Sequence, residues 1–68
     1  MEEVQVGAEG IRLGQLLKLA GWVDSGGSAK EVLADGAVIV NGRPELRRGA
    51  QLKPGDVIIF ADRRIRLV

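Results

Sequence analysis

Val38-Ile39-Val40-Asn41-Gly42-Arg43-Pro44 runs three β-branched residues into Asn-Gly and then into a proline. Branched side chains suit a pleated strand, and Asn-Gly accepts the positive φ angles that a two-residue hairpin loop requires. The stretch therefore predicts a hairpin beginning at Val38. Pro44 has no N–H to give to a central ladder, so the returning arm from Arg43 to Arg47 is expected to be short, irregular or on a sheet edge. Further on, Lys53-Pro54-Gly55-Asp56 puts Pro and Gly at the two central positions of a type II turn. Val57 to Phe60 and Ile65 to Val68 read as two more strands, joined by the polar Asp62-Arg63-Arg64.

Towards the N-terminus the period changes. Leu13, Leu16, Leu17 and Ala20 recur at helical spacing, which makes one face apolar and leaves Arg12, Gln15 and Lys18 on another side. Gly21 is placed to stop this helix. After a linker, Trp22 to Gly27, the run Ser28-Ala29-Lys30-Glu31 fits a capping box, in which Ser28 caps the first amides and Glu31 reaches back. Ala29, Val32 and Leu33 form the apolar face of this second, short helix, and Gly36 supplies its exit. Val4-Gln5-Val6 reads as a further edge strand. The expected order is β-α-α-β-β-β-β: an α+β fold with two short helices packed on a small antiparallel sheet of about four to five strands.

The chain has 68 residues, 46% hydrophobic and 28% charged, which suits one domain over residues 1–68. It contains no Cys, His, Tyr or Thr, which removes thiol chemistry, the usual general base and the commonest metal ligand. Ser25 and Ser28 are the only hydroxyls, with no His to activate either, and the acidic residues are scattered among turns and helix ends. Neither a catalytic residue nor a metal site is expected. The longest apolar run, Val57 to Ala61, is far short of the roughly 20 residues that span a bilayer, so the chain is expected to be soluble and cytoplasmic.

Charge is unevenly spread. Glu2, Glu3 and Glu9 make residues 1–9 acidic, residues 10–40 balance, and residues 41–66 carry seven Arg or Lys against three acids. Arg43, Arg47, Arg48 and Lys53 lie around the hairpin and the following turn, and Arg12, Lys18 and Lys30 lie on the polar sides of the helices. Such an array suits phosphates, and arginine forks suit bidentate contacts to them; it also suits a merely solvated surface at a net charge of +1. The amides of Ser25-Gly26-Gly27-Ser28 ahead of a helix can cradle an anion with Lys30 one turn away, and equally form a plain turn between helices. A nucleotide P-loop is excluded, because Gly27 stands where that motif needs Lys. Trp22 and Phe60 are the only aromatics, too few for a platform on which single strands stack, and Trp22 reads better as a lid over the core.

Arg12-Leu13, Leu16-Leu17, Ser28-Ala29-Lys30, Gly36, Val38-Ile39-Val40-Asn41-Gly42 and Lys53-Pro54-Gly55-Asp56, in this order, resemble the S-four RNA-binding domain, the αL motif named after small-subunit ribosomal protein four. The resemblance covers residues 11–60. Ser25 to Lys30 together with Glu45-Leu46-Arg47-Arg48-Gly49 is similar, more narrowly, to the small bacterial proteins of the YbcJ/YaaA type. It implies two helices set in an L, non-enzymatic binding of structured RNA, ribosomal or otherwise, through a basic face, and no cofactor. Arg12, Lys18, Gly26, Gly27, Lys30, Arg43, Arg47, Arg48 and Lys53 are the residues on which that role falls. Many members place an arginine just before the second helix where this chain has Gly26, so that phosphate contact is either missing or replaced by backbone amides. The expected partner is structured RNA, with the ribosome as one source, for a monomer that needs neither membrane nor small-molecule substrate. The alternative is a small protein-interaction module using a sheet edge or the apolar flank near Leu19 and Trp22.

Overall fold

The structure, a computed structural model, describes residues 1–25 and 27–68, with Gly26 entering only as the first residue of a helix. In chain order the elements are β1 (Glu2–Val4), β2 (Ile11–Arg12), α1 (Leu13–Leu19), α2 (Gly26–Ala34), β3 (Val38–Val40), β4 (Arg43–Pro44), β5 (Gln51–Leu52), β6 (Val57–Phe60) and β7 (Arg63–Leu67). Five strands form one sheet in the order β1-β7-β6-β3-β4, and β2 pairs with β5 in a separate ladder.

The hairpin is where the sequence places it. Asn41 (φ 52°) and Gly42 (φ 86°) both take positive φ, and Val40 pairs directly with Arg43. Pro44 lies on the sheet edge, as its missing donor requires. Helix α1 ends in the αL turn expected of Gly21 (φ 73°): the Gly21 N–H donates to the Lys18 carbonyl and the Trp22 N–H to the Leu17 carbonyl, so orphan carbonyls of the last turn are satisfied.

Three expectations are corrected. The sheet is mixed, since β1 runs parallel to β7 with Glu2 opposite Ile65 and Val4 opposite Leu67. That pairing joins the two ends of the chain, which no local pattern encodes. The ladder continues through the Val68 N–H to the Val4 carbonyl and the Val6 N–H to the Val68 carbonyl, so the expected strand at residues 4–6 is in part its extension. Second, Ser25 rather than Ser28 caps α2: Ser25 is extended, and its Oγ accepts from the Ser28 N–H at 3.3 Å. Third, the turn between β6 and β7 is tighter than expected, because Ala61 takes positive φ (55°) and pairing resumes at Arg63, opposite Phe60. β2 and β5, unmarked in the sequence reading, are two-residue strands formed only through their mutual pairing.

One hydrophobic core joins both layers. Leu13, Leu16 and Leu17 of α1, Ala29 and Leu33 of α2, and Val38, Ile58, Ile65 and Leu67 of the sheet are completely buried. Burying a Leu or Ile side chain contributes about 1.5–3 kcal/mol, so this cluster is the main source of stability. Trp22 packs against it, 5.7 Å from the Phe60 ring, with the Arg63 guanidinium 5.6 Å from its own ring centroid. The lid role read for Trp22 fits this placement. No helix among the described residues is long and apolar enough to cross a membrane.

Candidate nucleic-acid interface

The beginning of α1 is assembled from two parts of the chain. The β2–β5 ladder sets Arg12 opposite Gln51 and brings the segment 48–50 alongside the helix. The Leu13 N–H donates to the Ala50 carbonyl and the Gly14 N–H to the Arg48 carbonyl, both at 2.9 Å, so two amides of the first turn are satisfied by that loop. Gly14 is what permits the approach: a Cβ there would fall 2.7 Å from Arg48 Cγ and 3.3 Å from its carbonyl oxygen. The arginine stem therefore lies directly over the first turn. Gln15 turns back, its Oε1 accepting from the Arg12 N–H at 3.3 Å.

Around this junction is an open recess of about 440 Å³ lined by Arg12, Gly14, Gln15, Lys18, Ala29, Arg48 and Gly49. Three cations and an amide line it, and among the described residues no carboxylate does. Arg12, Gln15 and Lys18 succeed one another every three residues, which keeps them on neighbouring parts of the helix surface. Charges of one sign along a concave wall reinforce each other's field, so the recess attracts anions more strongly than scattered surface cations do.

The nine residues singled out from the sequence are not gathered equally. Arg12, Lys18 and Arg48 converge on the recess. Lys30 is exposed on α2, next in sequence to Ala29 of the recess wall, and Gly27 is exposed in the first turn of the same helix. Gly26 lies outside the described residues. Arg43 is exposed on the sheet-edge strand β4, and Lys53 is exposed in the turn before β6. Arg47 is engaged elsewhere: its Nε and one terminal nitrogen donate to the two oxygens of Glu45, both at 3.1 Å, and its backbone N–H also donates to Glu45. The side-chain and backbone bonds from Arg47 hold the Glu45 carboxyl below its usual pKa, and the same pairing raises that of Arg47. Recess residues not singled out beforehand are Gly14, Gln15, Ala29 and Gly49. The spacing of Gln15 with Arg12 and Lys18 was the available signal; the contact of Gly14 with Arg48 links residues distant in sequence and had none.

The motif residues Asn41 and Asp56 do a different job. Asn41 Nδ2 donates to Asp56 Oδ1 at 2.9 Å, Asn41 Oδ1 accepts from the Val57 N–H at 3.0 Å, and Asp56 Oδ2 accepts from the Lys53 N–H at 2.9 Å. The hairpin loop and the Pro-Gly turn are thus clamped to each other and to the start of β6.

Comparisons with known proteins follow the same lines. Residues 4–68 match the family model of the S4 domain. RlbA of Bacillus subtilis strain 168, named for ribosome maturation, is 47% identical over 55 residues, which cover 81% of this chain and 78% of RlbA. YbcJ of Escherichia coli strain K12, named for RNA binding, is 38% identical over 58 residues, covering 85% of this chain and 83% of YbcJ. A solution structure of YbcJ from E. coli, described as revealing an αL motif involved in RNA binding, matches with a TM-score of 0.74 at 35% identity, over 100% of this chain and 87% of that one. A family match over nearly the whole chain, two relatives covered for most of their length and a shared αL fold agree: the chain belongs to the S4 domain family.

Proposed function

We propose that the protein binds structured RNA through its phosphates, without catalysis, and that the recess at the start of α1 is the centre of the contact. The observation that carries this reading is the convergence of Arg12, Lys18 and Arg48 on one carboxylate-free hollow in an S4 domain. Arg12 and Arg48 supply planar forks for phosphate oxygens, Lys18 supplies a point charge, and Gln15 offers an amide to a ribose or base edge. Lys30 and the first-turn residue Gly27 extend the surface along α2; Arg43 and Lys53 are peripheral. Arg47 contributes least while Glu45 holds it. The name of RlbA and its similarity to this chain favour ribosomal RNA as the target, met by a cytoplasmic monomer during ribosome maturation.

The test is a fluorescence-anisotropy titration of labelled ribosomal RNA stem-loops, and of a DNA duplex of equal length, across a range of salt concentrations. Three phosphates neutralised by the recess give a log–log salt slope of roughly -2 to -3. Tighter binding to RNA than to the duplex with such a slope supports the reading. A slope near zero, or equal affinity for the two, overturns it.

A further inference from the structure

We propose that the outer face of the five-stranded sheet, the side away from the helices, is a docking surface for a short protein segment that is both acidic and apolar. This surface is separate from the recess and does not rest on the RNA reading.

Strand register defines the face. Val38, Ile58, Ile65 and Leu67 point into the core, so the residues alternating with them point outward. Pro44, Ile39, Ile59 and Arg64 form one row across β4, β3, β6 and β7, and Val57, Arg66 and Glu3 form a second across β6, β7 and β1. A sheet face left to water is ordinarily polar at these positions. Here β3 (Val-Ile-Val) and β6 (Val-Ile-Ile-Phe) are apolar at every position, the pattern of strands covered on both sides. Ile39, Val57 and Ile59 are only partly buried, and Pro44 is exposed.

The chemistry of the face selects its occupant. Phosphate gains nothing from the apolar row of Pro44, Ile39 and Ile59. Both aromatic rings, Trp22 and Phe60, pack with the core on the other side, so bases have nothing to stack on. A second copy is disfavoured by size: five short strands spaced about 4.8 Å apart, with about 3.3 Å rise per residue, offer roughly 300 Å², against about 800 Å² per partner in a stable interface. A protein segment that lays apolar side chains over Ile39 and Ile59 and carboxylates beside Arg64 and Arg66 matches both halves of the surface. Arg64 and Arg66 are exposed and make no ion pair among the described residues, so both are available to it. So small a contact is weak alone, and it gains strength where the same particle also offers RNA to the recess.

The experiment uses the isotope-labelled full chain and amide chemical shifts. It is titrated separately with a 12-residue peptide alternating leucine and glutamate, with the leucine–lysine counterpart, and with an RNA stem-loop. The glutamate peptide is expected to shift the amides of Ile39, Ile59, Arg64 and Arg66 while leaving Gly14 and Arg48 unmoved. The double variant Arg64→Gln/Arg66→Gln is expected to weaken that binding about tenfold while the recess amides still respond to the stem-loop. An outer face silent to the glutamate peptide, equal shifts from the lysine peptide, preferential shifts from RNA, or sedimentation as a dimer that Ile59→Asp dissociates would each overturn the proposal. Failure of the RNA reading shows separately, as recess amides that do not respond to the stem-loop.

Discussion

Two regions carry most of the chain's distinctive polar residues, and they spend them in opposite ways. In the Asn41–Asp56 clamp every polar side-chain atom of the pair has a partner within the protein: Asn41 gives and takes one bond, and both Asp56 oxygens accept. In the recess at the start of α1 the backbone amides are satisfied by the 48–50 loop, while the charged ends of Arg12, Lys18 and Arg48 make no hydrogen bond or ion pair among the described residues. A polar group already satisfied inside the fold contributes stability, and one left at the surface of a hollow is available to a ligand. The residues that make the family recognisable, Asn-Gly and Pro-Gly-Asp, are therefore mainly the ones that hold the fold. The cations of the recess are ordinary ones: Lys18 on α1, Arg12 just before it in β2 and Arg48 in the 48–50 loop.

Substitutions in each region should separate these roles, and the largest effect belongs to the recess. Replacing Arg12, Lys18 and Arg48 together by Gln is expected to lower RNA affinity on the order of a hundredfold at low salt, with the thermal midpoint unchanged, because three phosphate contacts go and no internal bond does. Binding and melting curves on the same preparation check both halves. Next, Gly14→Val drives a side chain into the Arg48 stem, so it should cost about 1–3 kcal/mol of stability by denaturant titration and also weaken RNA binding. This variant joins the two roles at the contact through which the fold positions Arg48.

Asn41→Ala removes two hydrogen bonds and leaves an Asp56 oxygen without its donor. It should cost about 1–2 kcal/mol in the same denaturant assay while leaving RNA affinity within about twofold below the melting transition. A large loss of affinity would move Asn41 from the clamp into the interface. The smallest effect is expected at Glu45. Its lowered pKa means that the stability from the pairing with Arg47 is present above the usual carboxylate range and is lost as pH falls through the lowered value. Glu45→Gln should remove that acid-side stability change and, by releasing Arg47, raise RNA affinity on the order of twofold near neutral pH.

What was legible in the sequence was local. Asn41-Gly42, Pro44 and the Leu13, Leu16, Leu17, Ala20 period each act within a few residues, and the hairpin, the edge strand and α1 stand where they were expected. The strands β2 and β5 and the parallel arm β1 depend on partners about forty to sixty residues away, and no window of sequence contains both members. The α2 cap shows a local competition instead. Ser25 and Ser28 are both good caps, and the serine three residues further upstream prevails although the first turn must then run through Gly26 and Gly27. For the interface, composition showed that the C-terminal half is basic but not which cations converge. Arg48 reaches α1 only because Gly14 has no side chain, whereas the adjacent Arg47 is taken up by Glu45. Arg64 and Arg66 went unmarked because only strand register shows that they share a face with Ile39 and Ile59.

The most direct test compares the salt dependence of RNA binding for the wild-type chain, the Arg12→Gln/Lys18→Gln/Arg48→Gln variant and Asn41→Ala. With the recess as the phosphate site, the triple substitution reduces the magnitude of the log–log slope by about 2–3 while Asn41→Ala leaves it unchanged. A triple variant with the wild-type slope would show that the phosphates are held elsewhere and would contradict the account.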